Sequence, residues 1–469
     1  MSRHTLFLTG HLAEKRLHHV LAGLSGLDFT WTVHDIGIQV AALMTAEIIR
    51  RRLPQGALGA DRVIVPGFCR GDLEALGREL GLRVERGPED LHELPNYLGD
   101  HGKPVDRFEP DVRIFAEITD APQRSTESIM ALARLYAADG AEVIDLGCLP
   151  ETAFPHLEEA VAAIKESGLE VSVDSADLGE LKRGAAAGAH YVLSLDETSL
   201  DLAFAFDTTP VIIPTRPDDL PSLYRACERL LKEGRPFIAD AILAPIPFGF
   251  TASLLRYAEL RRRLPGARIL MGIGNVTELT DADTTGINAL LFGMIAELGI
   301  SEVLTVQKSP HCRNAIKEAD RARRIMGTAM RLQRLPQGFD PGLLALHDRR
   351  PGWASSEEIA ETKAQLRDTN FRIELAEDGI HLYNRDLHRV ATDAFALFPA
   401  LTPAIEHDGA HAFYLGVELA RAEIAWRLGK HHAQDEELRW GVAYTPEPAS
   451  AHRGPGPTLP TRRKRPPTL

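Results

Sequence analysis

The chain has 469 residues, 44% of them hydrophobic and 25% charged, with a formal net charge of −13. That length exceeds what one domain usually holds, and the balance is that of a globular protein with an ordinary core. An acidic body argues against nucleic acid as the main ligand, and no apolar run reaches the roughly 18 residues a membrane-spanning helix needs.

The first residues, MSRHTLFLTGHLAEKRL, contain too short an apolar segment for a secretory signal, and TLFL reads as a first strand. Residues 1–100 then read as a small α/β domain. TLFLT, FTWTVHDI, DRVIVPG and LRVER are its strands, separated by helices such as VAALMTAEIIRRRL. Glycines follow two of these strands, in TGH (9–11) and GFCRGD (67–72). They could let backbone N–H groups approach a phosphate, but a tight turn with Asp72 capping the next helix is the simpler reading. The Pro- and Gly-containing stretch 94–111 has the composition of a linker.

From 111 to 330, short apolar runs alternate with amphipathic helical stretches. The strands are VRIFAEI (112–118), EVIDL (142–146), EVSVD (170–174), HYVLSL (190–195), PVIIP (210–214), PFIADAI (236–242), RILMGI (268–273) and EVLTV (302–306). Each is apolar on both faces, as buried parallel strands are, and several intervening helices end in Gly. Eight βα units of this length predict a (β/α)₈ TIM barrel, with a doubly wound open sheet as the rival. Residues 335–446 read as a C-terminal α+β domain. In it, 371–386 forms a hairpin turning at Glu377-Asp378-Gly379, and 410–432 forms a long helix. The basic, Pro-rich segment 447–469 is expected to be disordered.

Three barrel strands end in a carboxylate: Asp145, Asp174 and Asp240. The C-terminal ends of barrel strands form the active-site face, so residues distant in sequence converge there. Carboxylates gathered in a partly dry pocket need a donor-rich ligand, a metal or basic partners. After the eighth strand, VQKSPHCRN (306–314) offers Lys308, Ser309, His311 and Arg313 at the start of a helix, where barrels often hold phosphate.

The order AEITDAPQRS, GAEVIDLG, VSVDS, GAAAGAHYVLS, ADAILAPIPFGF and MGIGNV over 112–330 resembles the dihydropteroate synthase family. With its two flanking domains, the whole resembles a divergent group of that family associated with tetrahydromethanopterin biosynthesis. The resemblance implies a barrel of pterin-binding type and a transferase that forms a C–N bond. It would condense a dihydropterin-6-ylmethyl diphosphate with 4-(β-D-ribofuranosyl)aminobenzene 5′-phosphate and release diphosphate. Asp145, Asp174, Asp240 and Asn275, with Ser194, would hold the pterin. Glu117 would stand at the metal position, and Lys308, Ser309, His311 and Arg313 would serve the diphosphate, with Lys308 and His311 as the catalytic pair. Mg²⁺ is implied, hard oxygen ligands suiting it; no tightly bound organic cofactor is expected, and a homodimer is the candidate assembly.

Departures from the family pattern accompany the resemblance. Glu117 replaces a metal-binding Asn. The seventh strand ends GIGN, without the family's Ser-Arg-Lys, as in pterin domains of corrinoid methyltransferases. The strand-four Asn is replaced by Leu193 or Ser194, and Arg-x-His after strand eight is not intact. The alternatives are therefore a pterin-binding protein without synthase activity, or a pterin-dependent methyltransferase-like domain, although no DxHxxG cobalamin signature is present.

The four cysteines, Cys69, Cys148, Cys227 and Cys312, form no CxxC pair. Inert thiols in a reducing cytoplasm are the expectation. His381, His388, His407, His411, His431 and His432 show no HExxH pattern and read as solvated or hydrogen-bonded.

Overall fold

A computed structural model describes residues 3–24, 29–53, 59–88, 91, 94–98, 111–349, 351–405 and 408–444. Most of the linker expected at 94–111, His407 and the tail 447–469 lie outside the described residues; within the linker stretch, Leu94–Tyr97 forms a helical turn. The chain divides into two compact units. One joins 1–106 to 346–439, and the other comprises 107–345 with 440–445. The two flanking stretches thus belong to one unit.

In that unit, β1 (Arg3–Thr9), β2 (Phe29–Asp35), β3 (Arg62–Val65) and β4 (Arg83–Arg86) form a parallel sheet in the order β2-β1-β3-β4. Alternate residues of β1 serve opposite faces. Leu6 and Leu8 pack with Ile49, Val63 and Leu76, while Phe7 packs with Leu17, Leu21 and Ile64. Asp72 caps the helix Leu73–Leu80 by accepting the Ala75 amide at 2.9 Å, which decides the GFCRGD reading in favour of the turn.

The second unit is a closed parallel barrel of eight strands. They are β5 (Arg113–Ile118), β6 (Val143–Gly147), β7 (Glu170–Asp174), β8 (Tyr191–Leu195), β9 (Thr209–Ile212), β10 (Ile238–Ala239), β11 (Arg268–Gly272) and β12 (Glu302–Val306). Pairing of β12 with β5 closes the ring, which excludes the open-sheet rival. β10 is much shorter than the 236–242 expected. The Asp240 amide still donates to the Ile212 carbonyl at 2.8 Å, but the pairing stops there: the Asp240 carboxylate accepts the Ile242 amide at 2.7 Å, and Ile242 adopts a left-handed φ of 61°.

Back in the first unit, β13 (Arg372–Ala376), β14 (Gly379–Tyr383) and β15 (His388–Ala391) form an antiparallel meander. β14 is buried throughout, covered by the helix Gly409–Leu428, whose Trp426 indole donates to the Ala376 carbonyl at 3.1 Å. The hairpin turns where expected; the third strand was not foreseen.

The inner and outer faces of the barrel follow the period of two along each strand. Ile114, Ala116, Ile118, Ile144, Leu146, Val171 and Val173 point outward against the helices. Phe115, Val143, Tyr191, Leu193, Val211, Ile238 and Leu270 fill the interior as an apolar plug. Below the plug, at the N-terminal ends, charges are paired: Arg113 with Glu170 at 2.9 Å and with the Tyr191 hydroxyl at 2.7 Å, and Arg268 with Glu302 at 2.6 Å. The seam is tied by Arg323, on the helix Ala315–Leu332. Its buried guanidinium donates to the carbonyls of Val112 and Gly140 and to Glu142 and Asp320, at 2.6–3.0 Å.

Arg323→Met should therefore leave the Val112 and Gly140 carbonyls unpaired and remove the cation from Glu142, whose other oxygen still accepts the Ile114 amide. The expected loss is about 3 kcal/mol of barrel stability, read as a lower urea midpoint; an unchanged midpoint would show the seam does not depend on it.

Candidate functional site

The inward parity that puts Arg113 and Phe115 inside the barrel also puts Glu117 inside, one layer higher. On β7 it carries Glu170 at the bottom, Ser172 in the middle and Asp174 at the top. On β6 it carries Val143 and then Asp145, and after β10 it carries Asp240. Register places Glu117 opposite Asp145, Asp145 opposite Ser172, and Gly147 opposite Asp174. Carboxylate oxygens of Glu117, Asp145 and Asp174 lie within 4.8 Å of one another. Gly147 makes room for this: a Cβ there would stand 2.5 Å from a Glu117 carboxylate oxygen.

Asp145 is fully buried within β6 rather than at its tip. One of its oxygens accepts the Ser172 hydroxyl; the other, Oδ2, has no partner. Glu117, Asp174 and Asp240 are half-buried above it. Burial and the neighbouring negative charges raise the group. Glu117 is pushed up to about 7 by burial, then by Asp174 and Glu278. Asp174 is pushed up to about 7 by burial and Asp240. Asp145 is raised well above the usual carboxylate range by burial, then by Asp174 and Glu117. Asp240 is pushed up only to about 6, because the Tyr257 phenol and the Ile242 amide donate to it and Arg256 stands near. Among the described residues no cation offsets the charge on Glu117 or Asp174.

The structure thus brings Glu117, Asp145, Asp174 and Asp240 together. Ser194 is half-buried near the end of β8. Asn275 is exposed in the helical turn Gly274–Thr277, and its amide donates to the Leu243 carbonyl at 2.8 Å.

The basic segment is already engaged. Lys308 Nζ lies 2.6 Å from Asp120, which also holds Arg124, so Asp120 stays below the usual carboxylate range. The backbone amides of Lys308 and Ser309 donate to the Glu278 carboxylate at 2.7 and 3.0 Å. The His311 ring pairs with the Thr277 carbonyl at 3.1 Å, and Arg313 is exposed. Sequence reasoning missed Asp120, Glu278, Tyr257 and Ser172, because each acts through a partner distant in the chain. Only the APQRS stretch, with Asp120 four residues before Arg124, carried a local signal.

The cysteines are free, and burial is the first cause raising every thiol, Cys227 and Cys312 to about 12. His381 is buried between Asp378 at 2.8 Å and His388 at 3.0 Å, while the His432 side chain is buried with neither ring nitrogen bonded. Among the described residues no helix is long and apolar enough to cross a membrane.

Residues 3–89 match a family of unknown function, DUF6513. An uncharacterized protein of Methanocaldococcus jannaschii is 26% identical, over 92% of this chain and 98% of its own length. The fold of the barrel half is similar to solved dihydropteroate synthases. One, from Yersinia pestis with a pterine-sulfa conjugate, is 16% identical with a TM-score of 0.37, covering 47% of this chain and 94% of that one. Another, from Thermus thermophilus in complex with 6HMPPP, is 20% identical with a TM-score of 0.36, covering 49% and 95%.

Three hard oxygen donors, one from the Asp145 carboxylate with its unpartnered oxygen, fit a divalent cation such as Mg²⁺, which would relieve the repulsion that raises these groups. Because the folded-state values of Glu117 and Asp174 are raised, folding is penalised as pH climbs from about 4 through 7 and the penalty is full above that. Added Mg²⁺ should therefore raise the melting temperature at pH 8 and hardly at pH 5. Glu117→Gln should stabilise the metal-free protein at pH 8 by roughly 2 kcal/mol and blunt the Mg²⁺ response. Equal Mg²⁺ responses at both pH values would reject the site.

Proposed function

We propose that the barrel mouth binds a pterin and that the protein is a dihydropteroate synthase-like transferase. The carrying observation is the convergence of Glu117, Asp145 and Asp174, their oxygens within 4.8 Å of one another, with Asp240 beside Asp174 and one Asp145 oxygen unpartnered. A pterin edge presents a 2-amino group and a ring N–H, and these donors match carboxylate acceptors. Each charge-assisted hydrogen bond contributes about 1.5–3 kcal/mol. The resemblance of the barrel together with its two flanking domains supplies the finer reading: condensation of a dihydropterin-6-ylmethyl diphosphate with 4-(β-D-ribofuranosyl)aminobenzene 5′-phosphate, as in tetrahydromethanopterin biosynthesis.

In this reading Asp174 and Asp240 hold the pterin edge, Asp145 supports them from below, and Asn275 and Ser194 border the ring. The chain's own work is positioning. The arylamine attacks the pterin methylene carbon, the C–O bond to diphosphate breaks, and the amine proton passes to a carboxylate or solvent. Glu117 belongs to the group that would hold Mg²⁺, which neutralises diphosphate charge when bound. Lys308, Ser309, His311 and Arg313 would receive the leaving diphosphate once Lys308 exchanges Asp120 for it and the amides exchange Glu278 for it.

A second reading is favoured by those same contacts. With Lys308 neutralised, Glu278 on the amides and Asn275 where the family carries lysine, a pterin-binding protein without diphosphate chemistry, or a methyltransferase-like domain, also accounts for the mouth.

Two measurements test these readings. Asp240→Asn keeps an acceptor for Tyr257 and Ile242, so the fold should survive while pterin affinity falls roughly 10- to 100-fold in calorimetry; unchanged affinity in a folded variant would refute pterin binding here. Diphosphate release is expected with the ribofuranosyl phosphate arylamine in preference to p-aminobenzoate; release with neither, alongside intact pterin binding, would select the second reading.

A further inference from the structure

The strand order β2-β1-β3-β4 reverses direction between β1 and β3. In open parallel α/β sheets, ligands bind outside the carboxyl ends of the strands at such a switch point. A cavity of about 520 Å³ lies there, bordered by Thr9 at the end of β1 and by Val65 at the end of β3 with Pro66 after it, with Phe7, Leu12 and Ile64 among its apolar walls. Its volume suits a small molecule.

Two of its lining residues, His11 and Glu14, also form a cluster with Asp35 at the end of β2, in which one ligand atom from each lies within 4.8 Å of the others. His11 Nδ1 is 3.2 Å from Asp35 Oδ2, with the histidine 55% and the aspartate 22% exposed, so an ion can reach both. Asp35 is steadied by the Gly37 amide, which donates to its other oxygen at 2.8 Å.

The amides here exclude a phosphate cradle. His11 N donates to the Ile38 carbonyl at 2.8 Å and Leu12 N to that of Gln39 at 3.2 Å. Gly10 exists to allow that approach, since a Cβ would stand 2.7 Å from the Ala41 nitrogen. The nearby cations are matched as well, Lys15 by Glu361 and Arg16 by Glu374 at 3.8 Å. An anionic ligand therefore finds no free donor among these groups, whereas an imidazole with two carboxylates is a donor set for a transition-metal dication.

We propose that the N-terminal sheet carries a second site, in which His11, Glu14 and Asp35 hold a divalent transition-metal ion and the adjoining cavity takes the apolar body of a small chelating molecule. The test uses the metal-free full chain and Co²⁺, whose visible d–d bands report nitrogen ligation, with equilibrium dialysis giving stoichiometry. His11→Ala, at an exposed position, should lower the number of bound Co²⁺ ions by one and remove the nitrogen-ligated bands, alone and in a Glu117→Gln background that weakens the barrel site. Picolinate, a small aromatic chelator, should shift those bands in the wild type and not in His11→Ala. Unchanged stoichiometry and bands in folded His11→Ala would overturn the metal site. Bands that picolinate leaves unmoved, or abolishes by stripping the ion, would overturn the cavity's role.

Discussion

Uncompensated negative charge at one end of the barrel governs the rest of its structure. The same alternation that lines the interior puts ionisable groups at both ends of the apolar plug, but only the lower set is matched, with Arg113 against Glu170 and Arg268 against Glu302. At the upper end Glu117, Asp145 and Asp174 face one another with no cation against them among the described residues. Buried like charges cost stability unless a proton, a metal or a ligand joins them. The plug, the helix-facing layer and the Arg323 seam stabilise a ring whose mouth is held in an unfavourable state until it is occupied. Ionisable groups pushed out of their ordinary range in a cleft are a functional signature with a physical cause.

The barrel was legible because buried parallel strands are apolar on both faces, so β6, β7 and β12 stand out from their amphipathic helices. The carboxylates were legible for the opposite reason: a charge ending an apolar run breaks its pattern. Period-two parity, starting from Phe115, would also have placed Glu117 on the inner face, whereas its pairing with Asp145 needs the register between β5 and β6. What the local pattern did not carry was long-range pairing. Asp120 and Lys308 are 188 positions apart, and nothing near either announces the other. The early end of β10 was hidden too, because the Asp240 carboxylate that accepts the Ile242 amide is held by Tyr257, 17 residues further along the chain. β15 was overlooked because His388–Ala391 is largely solvent-facing and lacks apolar alternation.

The two sides of the mouth are linked through Glu278. Its carboxylate accepts the amides of Lys308 and Ser309 and also raises Glu117. An anion arriving at those amides must replace one already present, so the exchange leaves the amides satisfied and turns on where the Glu278 charge goes. If it moves away from Glu117, repulsion at the acidic cluster falls and that group ionises more readily, improving it as an acceptor. Loading of the basic segment and ionisation of Glu117 are then one coupled event, and a ligand carrying both a donor-rich ring and an anionic tail would engage both sides, whereas the ring alone would leave Glu278 where it is.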